Sequence, residues 1–369
     1  MLNRSGAKEH QTIKSIEVIY PMNEPSYYHQ IDFIKTIAIT AVILLHSLPA
    51  YILLDIYSPF HISQAIPVFI MVSGIVWYLS YNKITKHTFK DSYTLAYFKH
   101  KIKRLIVPFL IIYIIDIVYI ITINFAITTQ GLIRILTFQL PSGGPGSYYT
   151  SLIIQIILIA PIIFYCYQKN PNLTLATLVG INFCFELIAP MLPYWIYYIS
   201  SLRYLTAFAL GIYLSAALRT KTAFYKTKGF LVLSVLAIAS FVYILVFMRQ
   251  PTPFFRPEWE TQNLLSFFYT SFIVAIILLV HPLFYGLSNV GRKLNVIGKA
   301  SYHIFLVQLI YFGVGLNGIF LFTSTSPTLM GMIYVTANLV TTFSLGLIFY
   351  YIDKRQYGYT KLKAIFQFK

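Results

Sequence analysis

Residues 31–49 read IDFIKTIAITAVILLHSLP. Asp32 and Lys35 stand at the start of this apolar run and His46 lies deep within it. A run of this length and composition is a candidate membrane helix. A histidine inside such a helix is costly unless it has a partner or a task. The remainder of the chain decides which solvent surrounds the segment.

Of the 369 residues, 57% are hydrophobic and only 11% are charged, well outside the composition of an ordinary soluble domain. The chain therefore reads as an integral membrane protein. A formal charge of +17 would fit a nucleic-acid partner only if the basic residues formed a face or stripe. They fall instead into short clusters between apolar runs, so no nucleic-acid partner is expected. Cys166 and Cys184 sit inside apolar runs, which implies neither a disulfide framework nor a metal-ligand spacing. Residues 1–30 are polar and lack a short apolar core with a small-residue cleavage site, so the first span is expected to be retained.

Ten apolar runs of membrane-crossing length can be drawn, near 32–54, 64–81, 104–127, 148–167, 173–190, 196–218, 229–248, 264–285, 299–320 and 328–351. The connecting charges alternate. All 28 Lys and Arg fall on one side except Arg134, Arg249 and Arg256, on the other, and Arg203, within a span. By the positive-inside rule both termini are cytoplasmic. The expected architecture is an all-α polytopic bundle of about ten transmembrane helices occupying residues 31–351, with cytoplasmic tails at 1–30 and 352–369. The two longer outward connections, 128–147 and 249–263, mix rigid proline, aromatic and charged residues and read as ordered lids or recognition loops.

The intramembrane polar groups carry the functional reading. The eleven steps from Lys35 to His46 rise roughly 16 Å and rotate three turns plus about 20°, so the two residues share one helix face. Lys35 would stand at the cytoplasmic mouth and His46 in the outer half of the membrane. Lys35 alone also fits a snorkelling anchor, whereas a functional role is favoured for His46. Glu186 and Arg203, both near outer span ends, fit an ion pair that is either structural or part of the site. Asp116 lies mid-span with no assigned role. His281 and His303 fall near cytoplasmic span ends and form no i, i+4 ligand pair with another His or carboxylate, so no metal is expected.

Several stretches, in order, resemble the acyltransferase 3 family of integral-membrane acyltransferases. Asp32, Lys35 and His46 match an acidic residue, a basic residue and, ten intervening positions later, a histidine. IPVFIMVSG at 66–74, with Ser73, is similar to the second-span segment. KIKRLIVPFL at 101–110 is similar to the basic start of the third span, with Lys101 and Arg104 in the paired basic positions. RYLTAFALGIYL at 203–214 and IGKASYHIFLVQ at 297–308 match two later spans. The departures are Lys35 where arginine is usual, Gln308 where histidine is common, and SYYTSLIIQ at 147–155 where many glycan-modifying members carry tryptophan and glutamate.

The resemblance implies an O-acyltransferase of the bacterial cytoplasmic membrane. It would move an acyl group, acetyl first among candidates, from cytosolic acyl-CoA to a hydroxyl of a surface glycan or other extracytoplasmic acceptor. No permanently bound cofactor is implied, since acyl-CoA is a substrate. Lys35, Lys101 and Arg104 would hold the anionic donor. His46 would act as general base or form an acyl-histidine, and Arg203 or a tyrosine hydroxyl would stabilise the oxyanion. Tyr148, Tyr149 and Trp259, with Arg256 and Glu258 nearby, suit a sugar acceptor, although interfacial aromatics are common in any membrane protein. Asp32, Glu186 and Ser73 complete the polar set. Lacking a fused extracytoplasmic domain, the chain would act directly on its acceptor or through a separate partner protein. The competing reading is a transporter or flippase for a glycan or lipid intermediate, which predicts paired broken helices near the midplane; Pro67, Pro108 and Pro282 lie near span ends instead. A third class, a structural subunit of a surface-polymer assembly, would leave His46 replaceable.

Overall fold

The computed structural model describes residues 28–81, 89, 93–123, 129–251, 255–256, 259, 261–285, 289–320 and 327–366. Among them the regular structure is entirely helical. The elements are α1 (His29–Ser47), α2 (Ala50–Asp55), α3 (Ala65–Tyr81), α4 (Leu95–Thr122), α5 (Thr129–Leu136), α6 (Tyr148–Lys169), α7 (Pro171–Ile188), α8 (Tyr194–Ile199), α9 (Leu205–Thr220), α10 (Lys228–Phe247), α11 (Ser266–Tyr285), α12 (Asn289–Gly313) and α13 (Pro327–Phe366).

Eight helices among the described residues are long and apolar enough to cross a bilayer, which makes this a polytopic membrane protein. The other two predicted spans coincide with α9 and α11. The 16 residues of α9 rise about 24 Å, short of a hydrocarbon core of about 30 Å. Its missing length is supplied by a 3-10 turn at Ser201–Tyr204, which carries Arg203. The apolar part of α11 is likewise the shorter stretch Ser266–His281.

The first span differs from the expected 32–54. Pro49 disfavours helical backbone at the residue before it, and Leu48 is extended with φ −102° and ψ 139°. The helix stops at Ser47, and α2 starts afresh after Pro49. His46 therefore occupies the last turn of α1 rather than its interior. At the other end of the chain, α13 continues unbroken through Phe366, so the stretch expected as a tail prolongs the last helix.

Two seams hold the bundle. Where α3 meets α9, a Cβ on Gly211 would fall on the main chain of Met71, and one on Gly74 would meet the carbonyl of Phe208. Glycine is needed here because lipid tails offer helices no hydrophobic reason to associate, so contact depends on close backbone approach. The second seam joins α1 to α12, with Gly298 against the main chain of Asp32 and the Thr36 hydroxyl donating to Leu294 O at 2.8 Å. From α12 the Tyr302 hydroxyl donates to Leu105 O of α4 at 2.6 Å, and Gln308 Nε2 donates to Pro145 O in the glycine-rich connection at 3.2 Å. Asp116, which the sequence left without a role, accepts from the Ser142 amide at 2.9 Å and ties the same connection to α4. Gly143 and Gly146 take φ of +80° and +85° there, a region glycine alone enters freely.

Substituting Gly211 with valine should drive a side chain into the α3 backbone and cost roughly 1–3 kcal/mol or more, seen as a lower melting temperature in detergent. Gly180→Ala is the control. Nothing lies within 4 Å of the added methyl in α7, and the change should leave the melting temperature unchanged or raise it.

Candidate active site

At the first end of α1, Lys35 Nζ donates to Asp32 Oδ1 at 3.4 Å, one helical turn away, and Asp32 is buried. Lys101 Nζ lies 3.9 Å from the ring centroid of Trp77 and 5.7 Å from that of Tyr97. Arg104 is exposed, and its charge reaches Asp32, Lys35 and Lys101. The three basic residues singled out from the sequence thus gather at one end of the bundle.

Local structure explains why Lys101 and Arg104 point apart. Residues Ile102–Ile106 form a π-helical turn within α4. Such a turn widens the helix by one residue and leaves a carbonyl without its intrahelical partner. Within the turn, the carbonyl of Leu105 accepts from the Tyr302 hydroxyl. Lys101 is directed onto Trp77 of α3 while Arg104 faces outward.

At the opposite end of α1, His46 is half-buried, with its ring centroid 5.8 Å from that of Phe312. Neither of its ring nitrogens makes a hydrogen bond among the described residues. A neutral imidazole so placed has one nitrogen open to accept a proton and the other carrying one. Beside it, Asn338 of α13 accepts from the Tyr311 hydroxyl at 2.7 Å and donates to Ser47 Oγ at 3.2 Å.

A third group surrounds Arg203. The side chain is fully buried, and its guanidinium centre lies 3.8 Å from the ring centroid of Trp259, 4.4 Å from Tyr197 and 4.8 Å from Tyr204. These cation–π contacts occupy its faces. Its Nε, Nη1 and Nη2 make no hydrogen bond among the described residues. The expected Glu186–Arg203 pair is not a direct one, since no ion pair joins the two among the described residues. They are coupled through Tyr197, whose hydroxyl donates to Glu186 Oε2 at 3.0 Å while its ring faces the guanidinium.

The three aromatic candidates divide. Tyr148 joins the cage, 4.4 Å from Tyr198 and 6.0 Å from Trp259 between ring centroids. Tyr149, one residue on, turns into the bundle core against Phe305 and Phe69, within reach of Ser73. Ser73 itself donates to Phe69 O of its own helix at 2.9 Å. Arg256 donates to Ala189 O and Leu192 O, satisfying carbonyls past the end of α7. Glu258 lies outside the described residues.

Asn338 escaped the sequence reading, and His303, read there as lying near a span end, is buried and shares a 3.1 Å hydrogen bond with Asp353 of α13. Both depend on α13 packing against α12, a pairing that no local spacing announces.

A family model described as an acyltransferase domain, of the acyltransferase 3 type, matches residues 28–351, nearly the whole chain. No curated protein and no solved structure matches it.

Tyr197→Phe removes the donor to Glu186 and leaves a buried carboxyl oxygen unsatisfied. The expected loss is about 1–3 kcal/mol of stability, measurable as a lower thermal midpoint of the purified protein.

Proposed function

This chain belongs to the acyltransferase 3 family, and from that premise we propose that it transfers an acetyl group from cytosolic acyl-CoA to a hydroxyl of an extracytoplasmic glycan. The observation that carries the reading is the shared face of α1, with Lys35 at one end and the unpartnered imidazole of His46 roughly 16 Å away at the other.

The donor is an anionic nucleotide on a long flexible arm. Lys35, Lys101 and Arg104 supply positive charge for its phosphates at the cytosolic end, and the arm runs along the α1 face to bring the thioester to His46. A free hydroxyl is a poor nucleophile at neutral pH. His46 takes its proton as the oxygen attacks the thioester carbonyl. The resulting tetrahedral oxyanion collapses with cleavage of the carbon–sulfur bond. The thiolate of CoA leaves and is reprotonated, and the acceptor carries the new ester.

Arg203 contributes through its field. A buried cation with no acceptor oxygen of its own is a source of positive potential in a medium of low dielectric, where the developing oxyanion gains most from it. The faces of Tyr148 and Trp259 beside it suit a sugar ring. The bacterial cytoplasmic membrane, with the Lys35 end inside, places donor and acceptor on the sides this chemistry requires. A separate extracytoplasmic protein would relay the acyl group where the acceptor lies beyond reach.

Membranes containing the wild type should incorporate label from acetyl-CoA into surface glycan. His46→Ala should lower that rate by roughly 10²–10⁴-fold with the protein still present in the membrane, and wild-type activity in this variant would overturn the mechanism. Lys101→Ala should raise the KM for acyl-CoA with little change in kcat, because it removes binding common to ground and transition states.

A further inference from the structure

From the hydrogen bonds at the end of α1 we infer that Asn338 is a positioning residue that fixes the imidazole of His46; this rests on the catalytic reading of His46 given above. Most of α13 faces outward, with only 17% of its span buried. Asn338 and Thr342, one turn apart, are nonetheless fully buried on it. A carboxamide in that setting is costly unless its oxygen and its amide both find partners.

The partners it finds flank the site. Tyr311, which donates to Asn338 Oδ1, precedes the Phe312 whose ring lies against His46. Ser47, which accepts from Asn338 Nδ2, follows His46 itself. Ser47 in turn donates to Ile43 O at 2.8 Å. One chain of donors thus runs from α12 through α13 into the last turn of α1.

The place matters because α1 ends there. The carbonyls of a last helical turn are short of intrahelical donors: Leu48 N–H still reaches Leu44 O at 3.0 Å, but Pro49 has no N–H to offer Leu45 O. The turn that carries His46 is thus held by few bonds of its own, and a side-chain tie from another helix adds to them. Asn338 holds it from two sides, through Ser47 on α1 and through the neighbour of Phe312 on α12. Catalytic groups lose about a hundredfold in rate when displaced by about an ångström, so the clamp bears on turnover without touching substrate.

The test compares Asn338→Leu, which keeps bulk and removes both hydrogen bonds, with Ser47→Ala and Tyr311→Phe, which each remove one. In full-length protein in membranes, Asn338→Leu should lower kcat by about tenfold to a hundredfold with the KM for acyl-CoA unchanged. The single-bond variants should show smaller losses of the same kind. In a His46→Ala background the Asn338 substitution should cause no further loss, because its effect passes through the imidazole. If Asn338→Leu fails to accumulate, the kcat and KM comparison of Ser47→Ala and Tyr311→Phe decides. Wild-type kcat in these variants beside an inactive His46→Ala overturns the role of Asn338 alone. A loss shared between kcat and KM, or an equal further loss without His46, assigns Asn338 to packing and also overturns it. An active His46→Ala overturns the functional reading beneath it.

Discussion

Inside a bilayer a polar side chain has no water to fall back on, so each buried oxygen and nitrogen must be answered by another part of the protein. The packing of this bundle follows from that constraint more than from apolar burial, which lipid offers as readily as another helix does. Thr36 of α1 answers a carbonyl of α12, Tyr302 of α12 answers a carbonyl of α4, and Asp116 answers the amide of Ser142. Glycines at the two tightest seams let the backbones come close enough for these bonds to form. Helix α12 takes part in most of them and is the element around which the others are arranged.

Other buried atoms also lack a hydrogen-bond partner among the described residues, Glu186 Oε1 and Gln308 Oε1 included, but two unanswered groups bear on the chemistry. His46 makes no hydrogen bond among the described residues, and the guanidinium of Arg203 has rings over its faces but no oxygen at its edges. A bundle that satisfies a remote carbonyl such as Leu105 O can also satisfy an imidazole, so leaving one bare at the end of a face that begins with Lys35 is consistent with a reacting group. The two residues belong to different clusters, one where α1 meets α12 and α13, the other among α7, α8 and α9 beneath Trp259.

Much of this was legible from residue order. Hydropathy located every long helix, and the ordered set Asp32, Lys35, His46, Lys101 and Arg104 pointed to the family that the domain match bears out. The break after Ser47 was also written in the chain, at Pro49, but averaging hydropathy across it hid the turn and placed His46 too deep. Other features had no local signal. Ser47 and Asn338 lie 291 residues apart and His303 and Asp353 lie 50 apart, so their pairing follows from which helices become neighbours. The ion pair expected between Glu186 and Arg203 is not made directly, and Tyr197, which stands between them, looked like one interfacial tyrosine among 31. Nothing in IKRLI distinguishes a π turn from ordinary helix.

That turn in α4 has a further meaning for the shape of the protein. It works as a one-residue phase shift in an otherwise continuous rod: the segment before it and the segment after it are rotated out of register, and each presents its own side to a different neighbour. The part ending at Lys101 is indexed to Trp77 on α3, whereas the part starting at Val107 packs on α12, and the Tyr302 bond ties the turn between them to α12. One rod therefore keeps two separate alignments.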